Sequence, residues 1–288
     1  MFRLLENIIL WRVIKMGELT AKVKDEKYQQ KKERKTLSKV LTIINYGFLP
    51  VTILVLWHIV TKRQVFSAAI LPEVSVVVES FISQLKTGQL IEDITISLFR
   101  VLKGFFAASV IGVVLGVIMG ISPRVNRFFT FTLNSIRQIP MMAWMPMIIL
   151  WFGIDELSKV IIISMGAFFP VLINTISGIS QVPKGYIEVG KMYKLSKWDL
   201  FRKIYFPSAL PSVFVGLKLA LGISWMIVVA AELIAASSGI GYRINDARSL
   251  MEPEIVIVGM FVIGFIGIVM DQILYRISKL VTPWTSRR

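Results

Sequence analysis

Apolar residues along the chain gather in six blocks separated by polar or charged stretches. The blocks run over 41–60, 105–120, 128–152, 160–178, 211–235 and 255–270. A helix crossing a bilayer needs about 20 apolar residues, with a range of about 17–25. The second and sixth blocks reach that length once Val101, Leu102 and Ile273 are added. The run 147–152 reads Met, Ile, Ile, Leu, Trp, Phe, without the alternation of a barrel strand. Helices are therefore predicted, because in lipid each backbone polar group needs a partner inside its own segment. The expected fold is all-α, a polytopic membrane protein with six transmembrane helices.

The first block lies behind a charge-rich stretch, too far in for a secretory signal peptide. Residues 1–16 set Phe2, Leu5, Ile9 and Trp11 among Arg3, Glu6, Arg12 and Lys15. That pattern fits a helix lying on the membrane surface or a loosely ordered extension. Residues 22–39 read as a solvated helical connector. The expected division is a cytoplasmic extension, 1–40, followed by a six-helix transmembrane domain, 41–288. A long loop at 179–210 belongs to that domain.

Composition agrees with a membrane chain. Apolar residues make up 55% and charged residues 18%, against about 45–50% and about 25% in soluble domains. The net charge of +15 would suggest nucleic acid in a soluble protein. Its distribution suggests lipid instead. With the N-terminus placed inside, 23 Lys and Arg fall on the inner side and 8 on the outer. This is the positive-inside bias, with both termini cytoplasmic. No nucleic-acid platform is expected, since aromatic residues among the basic ones are too sparse. With no cysteine and a single histidine, His58, disulfides, thiolate metal sites and multi-histidine zinc clusters are excluded.

Between the first two spans, Leu71–Pro72 signals a turn, and 74–87 and 90–104 read as further elements. The second of these is amphipathic, with Ile94, Ile96, Phe99 and Leu102 against Glu92, Asp93, Arg100 and Lys103. It is expected to lie along the outer surface and then turn inward. Ala108, Gly112, Gly116 and Gly120 recur every four residues, a spacing that allows close helix packing. The block at 128–152 contains Arg137, Gln138, Pro140, Trp144 and Pro146. Its prolines predict a broken or kinked helix. Arg137 fits either a polar path for an anion or a side chain bent toward the headgroups. Asn174, Ser224 and Trp225 are further pathway candidates inside later spans, and the inner-side Lys218 is expected to snorkel. Glu232 is expected near the headgroups, without a carboxylate partner for proton relay. A short loop is expected at 121–127.

The loop 182–211 carries the most specific pattern. A helix is predicted over 186–193. Ser196 is an N-cap with Asp199 three residues on. A second helix, 197–205, is predicted to end before Pro207. Trp198, Phe201, Ile204 and Tyr205 give it an apolar face. This helix–turn–helix resembles the cytoplasmic signature of the permease subunits of type I ABC importers. That signature is a Glu-Ala-Ala triplet, a glycine six positions after the Glu, and Ile-x-Leu-Pro sixteen to nineteen positions after it. Glu188-Val189-Gly190 and Ile204-Tyr205-Phe206-Pro207 stand at those places. Lys194 replaces the glycine, which implies a turn that does not need positive φ.

The resemblance covers roughly 71–285 and is nearest the nitrate/sulfonate/taurine/bicarbonate branch. Arg137-Gln138-Ile139-Pro140, Ala143-Trp144-Met145-Pro146 and Leu150-Trp151-Phe152-Gly153-Ile154 carry that likeness. So do Ala231-Glu232, Ser238-Gly239-Ile240-Gly241, Asp246-Ala247-Arg248 and Val258-Gly259-Met260. It implies a MetI-like permease fold in a prokaryotic inner membrane, and a non-catalytic chain that binds no cofactor or metal itself. ATP and Mg would sit in two partner ATPase subunits, since no Lys-Ser/Thr phosphate loop is present here. A second permease copy and a periplasmic or lipid-anchored binding protein complete the implied assembly. Glu188, Gly190, Lys191, Tyr193, Lys194, Leu195, Ser196, Lys197 and Trp198 would form the coupling loop. The implied cargo is a small anion, aliphatic sulfonate or taurine first, with nitrate, bicarbonate or a vitamin or pyrimidine precursor as alternatives. An ion-coupled secondary transporter, a membrane enzyme and a structural assembly protein are the rival classes. The broken third span suits the first, which six spans in one chain and the cytoplasmic signature disfavour, and the second lacks a catalytic cluster.

Overall fold

Helices form on the apolar blocks but run well past most of them. The computed structural model describes residues 47–287. The expectations for 1–16 and 22–39, and the start of the first block, lie outside the described residues. The chain divides into two units, Met1–Phe66 and Ser67–Arg288. In the first, α1 covers Gly47–Lys62. The second holds α2 (Val74–Lys86), α3 (Gln89–Ile121), α4 (Pro123–Gln138), α5 (Met141–Phe152), α6 (Glu156–Ser180) and α7 (Lys184–Met192). It continues through α8 (Lys197–Leu200), a π turn (Phe201–Tyr205), α9 (Phe206–Ala235), α10 (Ile240–Ser249) and α11 (Pro253–Val281).

Four helices are long and apolar enough to cross a bilayer: Gln89–Ile121, Glu156–Ser180, the continuous Lys197–Ala235, and Pro253–Val281. The other two expected spans correspond to shorter apolar helices, Gly47–Lys62 and Met141–Phe152. The block at 128–152 is broken at Ile139 and Pro140, both extended. Proline at 140 pushes the residue before it out of the helical region. Pro146 sits inside α5 and does not end it.

Two expected boundaries are corrected. The loop at 121–127 shrinks to Ser122, whose hydroxyl accepts from Val125 N at 3.4 Å, with Pro123 as the first helical residue. A capping serine followed by proline is a strong helix start. The segment 90–104 does not lie along the surface and turn. It is the first half of α3, one helix of 33 residues and about 50 Å.

α6 lies between α3 and α9. Its inner row is Ile163, Ala167, Val171, Thr175 and Ile179, spaced by four, and all are buried. The small residues of α3 meet that row. A Cβ on Gly112 would stand 3.0 Å from Val171 Cβ, on Gly116 2.6 Å from Thr175 Cβ, and on Gly120 2.7 Å from Ile179 Cβ. Ala108, Ala167, Val171 and Ala220 form the centre where α3, α6 and α9 meet. Backbones approach this closely only where side chains are small. On α11, Asp271 pairs with Lys218 at 3.1 Å, so the lysine expected to snorkel has a partner within the protein.

Candidate functional site

The loop between α6 and α9 folds as two short helices held against each other. α7 rests on α8 and the π turn at Gly190. A Cβ there would lie 2.6 Å from Leu200 Cδ1 and 2.7 Å from Ile204 Cδ1. Ser196 caps α8: its Oγ accepts from Asp199 N at 3.0 Å and donates to Asp199 Oδ2 at 2.6 Å. Lys203 pairs with the same carboxylate at 3.2 Å. The helix expected to stop before Pro207 does not stop. Phe206 N–H donates five residues back to Phe201 O, and the chain runs on as α9. A proline ring in a regular helix collides with the carbonyl four residues earlier. Here a π turn, Phe201–Tyr205, stands in place of a regular turn just ahead of Pro207.

The turn at Lys194 also corrects an expectation. Lys194 has φ 50°, so the position does take the left-handed conformation although it is not glycine. Lys194 N donates to Lys191 O at 2.9 Å, and Leu195 N to Gly190 O at 3.1 Å. These are the paired bonds of a Schellman cap, which satisfy the last carbonyls of α7. α10 ends the same way. Met251 has φ 61°, with Met251 N to Arg248 O at 3.3 Å and Glu252 N to Ala247 O at 2.9 Å. A Cβ in this region costs about 1 kcal/mol relative to glycine. Lys194→Gly is therefore expected to raise loop stability by about that amount. Proteolysis of the loop in detergent-solubilised protein measures this, and faster cleavage of the variant would refute it.

Of the expected coupling residues, Gly190 is buried and Leu195 half-buried, while Glu188, Lys191, Tyr193, Lys194, Ser196, Lys197 and Trp198 are exposed. Val189, Met192, Tyr193 and Trp198 leave apolar surface open among three lysines, with Met192 and Tyr193 81% and 79% exposed. The pathway candidates are not brought together. Ser224 is buried and donates to Ala220 O of its own helix at 2.8 Å. Trp225 Nε1 reaches across to Ile263 O on α11 at 3.0 Å. Asn174 bonds Pro170 O at 2.8 Å and packs under Gly216. Trp144 is half-buried on α5. Gln138 is exposed on one side of α4. Arg137 lines a cleft of about 310 Å³ between α4, α3 and α6, with Asn126, Thr130, Asn134, Phe169 and Ser177.

The sequence reading missed a buried polar joint at the far end of α9 from the loop. Arg100 on α3 donates through Nη1 to Glu232 Oε1 at 2.7 Å and to Ser238 O at 2.7 Å. Its Nη2 reaches Ser238 Oγ at 3.0 Å, and its Nε reaches Glu156 Oε2 at 2.8 Å. Ser97 Oγ donates to Glu232 Oε1 at 2.8 Å and accepts from Ile240 N at 3.0 Å. Glu232 Oε2 accepts from Gly241 N at 2.9 Å, and Asp93 Oδ1 accepts from Gly239 N at 3.1 Å. Arg243 Nε pairs with Asp93 Oδ2 at 3.0 Å. Glu232 was expected near the headgroups, yet it is buried and ion-paired to Arg100. The signal was present: Asp93, Ser97 and Arg100 stand at i, i+4 and i+7 on one helical face.

The family of binding-protein-dependent transport system inner membrane components matches residues 108–287. The putative aliphatic sulfonates transport permease protein SsuC of Bacillus subtilis (strain 168) is 34% identical, over 82% of this chain and 86% of its own length. The taurine transport system permease protein TauC of Escherichia coli (strain K12) is 31% identical, over 88% and 93%. Among solved structures, the MetNI methionine ABC transporter in inward-facing conformations superposes with a TM-score of 0.53 at 16% identity. The match covers 66% of this chain and 98% of that one, and it shows a shared fold. The chain belongs to the family of binding-protein-dependent transport system inner membrane components. It is a multi-pass, non-catalytic permease subunit of an ABC importer.

Proposed function

We propose that this importer subunit forms, with a second copy of itself, the path by which an aliphatic sulfonate or taurine crosses a prokaryotic inner membrane. Six spans make up each copy in this reading: the four long helices, α1, and α4 with α5 as one broken span. Both termini and the loop 179–210 face the cytoplasm. Two ATPase subunits holding ATP and Mg dock on that loop, and a soluble or lipid-anchored binding protein delivers the anion from outside. ATP binding tips the pair outward-open, and hydrolysis returns it inward-open, a population shift between two states.

The observation that carries the docking role is the exposed patch of Val189, Met192, Tyr193 and Trp198 on a loop whose fold is otherwise tied down. Apolar and aromatic residues left open on a rigid, lysine-edged platform mark a protein contact. The names of the related permeases support a sulfonate or taurine cargo. The cleft at Arg137 supports an anion: its lining holds hydroxyls, amides and one cation, without a carboxylate. Arg137 makes no ion pair among the described residues.

The test is to purify the complex and measure binding of taurine, alkanesulfonates, nitrate and bicarbonate to its receptor, then uptake into vesicles with and without ATP. Tightest binding of nitrate or bicarbonate would move the cargo to those anions. Uptake that survives without ATP on an ion gradient would sink the importer mechanism. Arg137→Gln is expected to raise KM for the anion about tenfold or more, the loss of one charged hydrogen bond. Assembly should stay intact, and unchanged uptake would remove Arg137 from the path.

A further inference from the structure

We propose that the joint of Asp93, Ser97, Arg100 and Glu232 makes α10 and the long α9 helix move as one body. On this proposal, events at the outer face reach the ATPase loop through α9. The proposal rests on the importer reading and topology above.

Charged groups inside a membrane protein are costly, and by default they suggest a substrate or proton path. Here that default fails on the accounting of partners. Every charge in the cluster is matched: Asp93, Glu156 and Glu232 face Arg100, Lys159 and Arg243. Arg100 and Glu232 are 2% and 1% exposed, and both are fully hydrogen-bonded within the protein. No donor or acceptor in the pair is left to meet a passing ion, so the cluster is a joint.

What it joins is specific. The first N–H groups of α10 have no partner within their own helix. Gly239, Ile240 and Gly241 instead donate to Asp93, Ser97 and Glu232. Two of these acceptors stand on α3 and one on α9. The fit is made to backbone and leaves no slack. A Cβ on Gly239, which has φ 104°, would stand 2.6 Å from Glu232 Cδ, and one on Gly241 would stand 2.6 Å from Val229 O. Arg243, one turn on, ties α10 to Asp93 a second time. α10 therefore cannot shift without drawing on Glu232.

Glu232 lies in the last turn of a helix that runs unbroken from Lys197. Its 39 residues make a rod of about 58 Å at 1.5 Å per residue. The other end of that rod is the capped turn at Ser196 and the patch at Trp198. One element thus carries both the outer joint and the inner platform, and coupling between them needs no chain of loosely packed side chains.

The experiment uses the complete complex in proteoliposomes, with ATP hydrolysis measured with and without receptor. The receptor is loaded with whichever of taurine, ethanesulfonate, nitrate or bicarbonate it binds most tightly. Glu232→Gln keeps the shape of the side chain but loses its charge and the acceptor for Gly241. Ser97→Ala keeps both charges and removes the hydroxyl that donates to Glu232 and accepts from Ile240 N. In both variants basal hydrolysis is expected within about twofold of the unmodified chain, and stimulation by loaded receptor is expected to fall about fivefold or more. A joint that served folding alone would lower the yield of complex and leave the stimulation ratio of the assembled fraction untouched. That result overturns the proposal. If Glu232→Gln does not assemble, Ser97→Ala decides by the same ratio. An unmodified complex that ignores loaded receptor overturns the importer reading and the proposal together.

Discussion

Arg100→Ala is expected to cost about 3–5 kcal/mol, the range for stranding one member of a buried ion pair. Arg100 is 2% exposed and bonds Glu232, Glu156 and both oxygens of Ser238. Its removal leaves the Glu232 carboxyl buried without its cation, with only Ser97 and Gly241 to face it. It also frees the strand of chain before α10. The two arms of the guanidinium are not equal. Glu156 has a side chain 60% exposed, and an ion pair open to solvent contributes about 0–1 kcal/mol. Glu156→Gln is therefore expected to be mild and Glu232→Ala severe. Arg100→Lys should fall between, since an ammonium cannot reproduce the planar fork that serves Glu232 and Ser238 together. Thermal unfolding midpoints of the detergent-solubilised protein give the order. If Arg100→Ala proves no worse than Glu156→Gln, the joint contributes nothing to stability.

That joint also marks where reading the sequence fails, and for a physical reason. Periodicity in 90–104 shows that one helical face is polar. It does not show which side of the helix meets water. In an aqueous setting the polar face points outward, and that assumption placed the segment on the surface. In the structure the faces are reversed. Phe99, Leu102 and Phe106 point out, while Asp93, Ser97 and Arg100 point into the protein. A membrane inverts the rule, because lipid solvates the apolar face and only protein can satisfy the polar one. The break at Pro140, the small-residue row of α3 and the Ser196 cap were legible because each depends on local chemistry alone. The turn at Lys194 was misread because glycine preference is a matter of about 1 kcal/mol, which a Schellman cap with two backbone bonds outweighs. The run through Pro207 was misread because a π turn leaves no mark in composition.

Trp198→Ala and Tyr193→Ala are each expected to weaken docking of the ATPase by about 2 kcal/mol or more, roughly thirtyfold in Kd. The reasoning starts from how the loop is held. Gly190 is buried against Leu200 and Ile204, Ser196 and Asp199 cap each other, and Lys203 closes on the same carboxylate. Tyr193 and Trp198 take no part in that packing beyond the contact of the Trp198 and Phe201 rings at 5.6 Å. They are 79% and 67% exposed. Truncating them should leave the loop folded and remove area that only a partner covers. Aromatic side chains concentrate binding energy because they bury a large surface and freeze few torsions. The lysines at 191, 194 and 197 should act differently. At the rim of a contact, a charge changes the rate of encounter and its salt dependence more than the final affinity. Lys191→Gln is therefore expected to slow association at low salt and to have little effect at high salt. Titrating purified ATPase onto the permease in nanodiscs separates the two kinds of effect. Full affinity after both aromatic truncations would mean that the exposed patch faces something other than the ATPase.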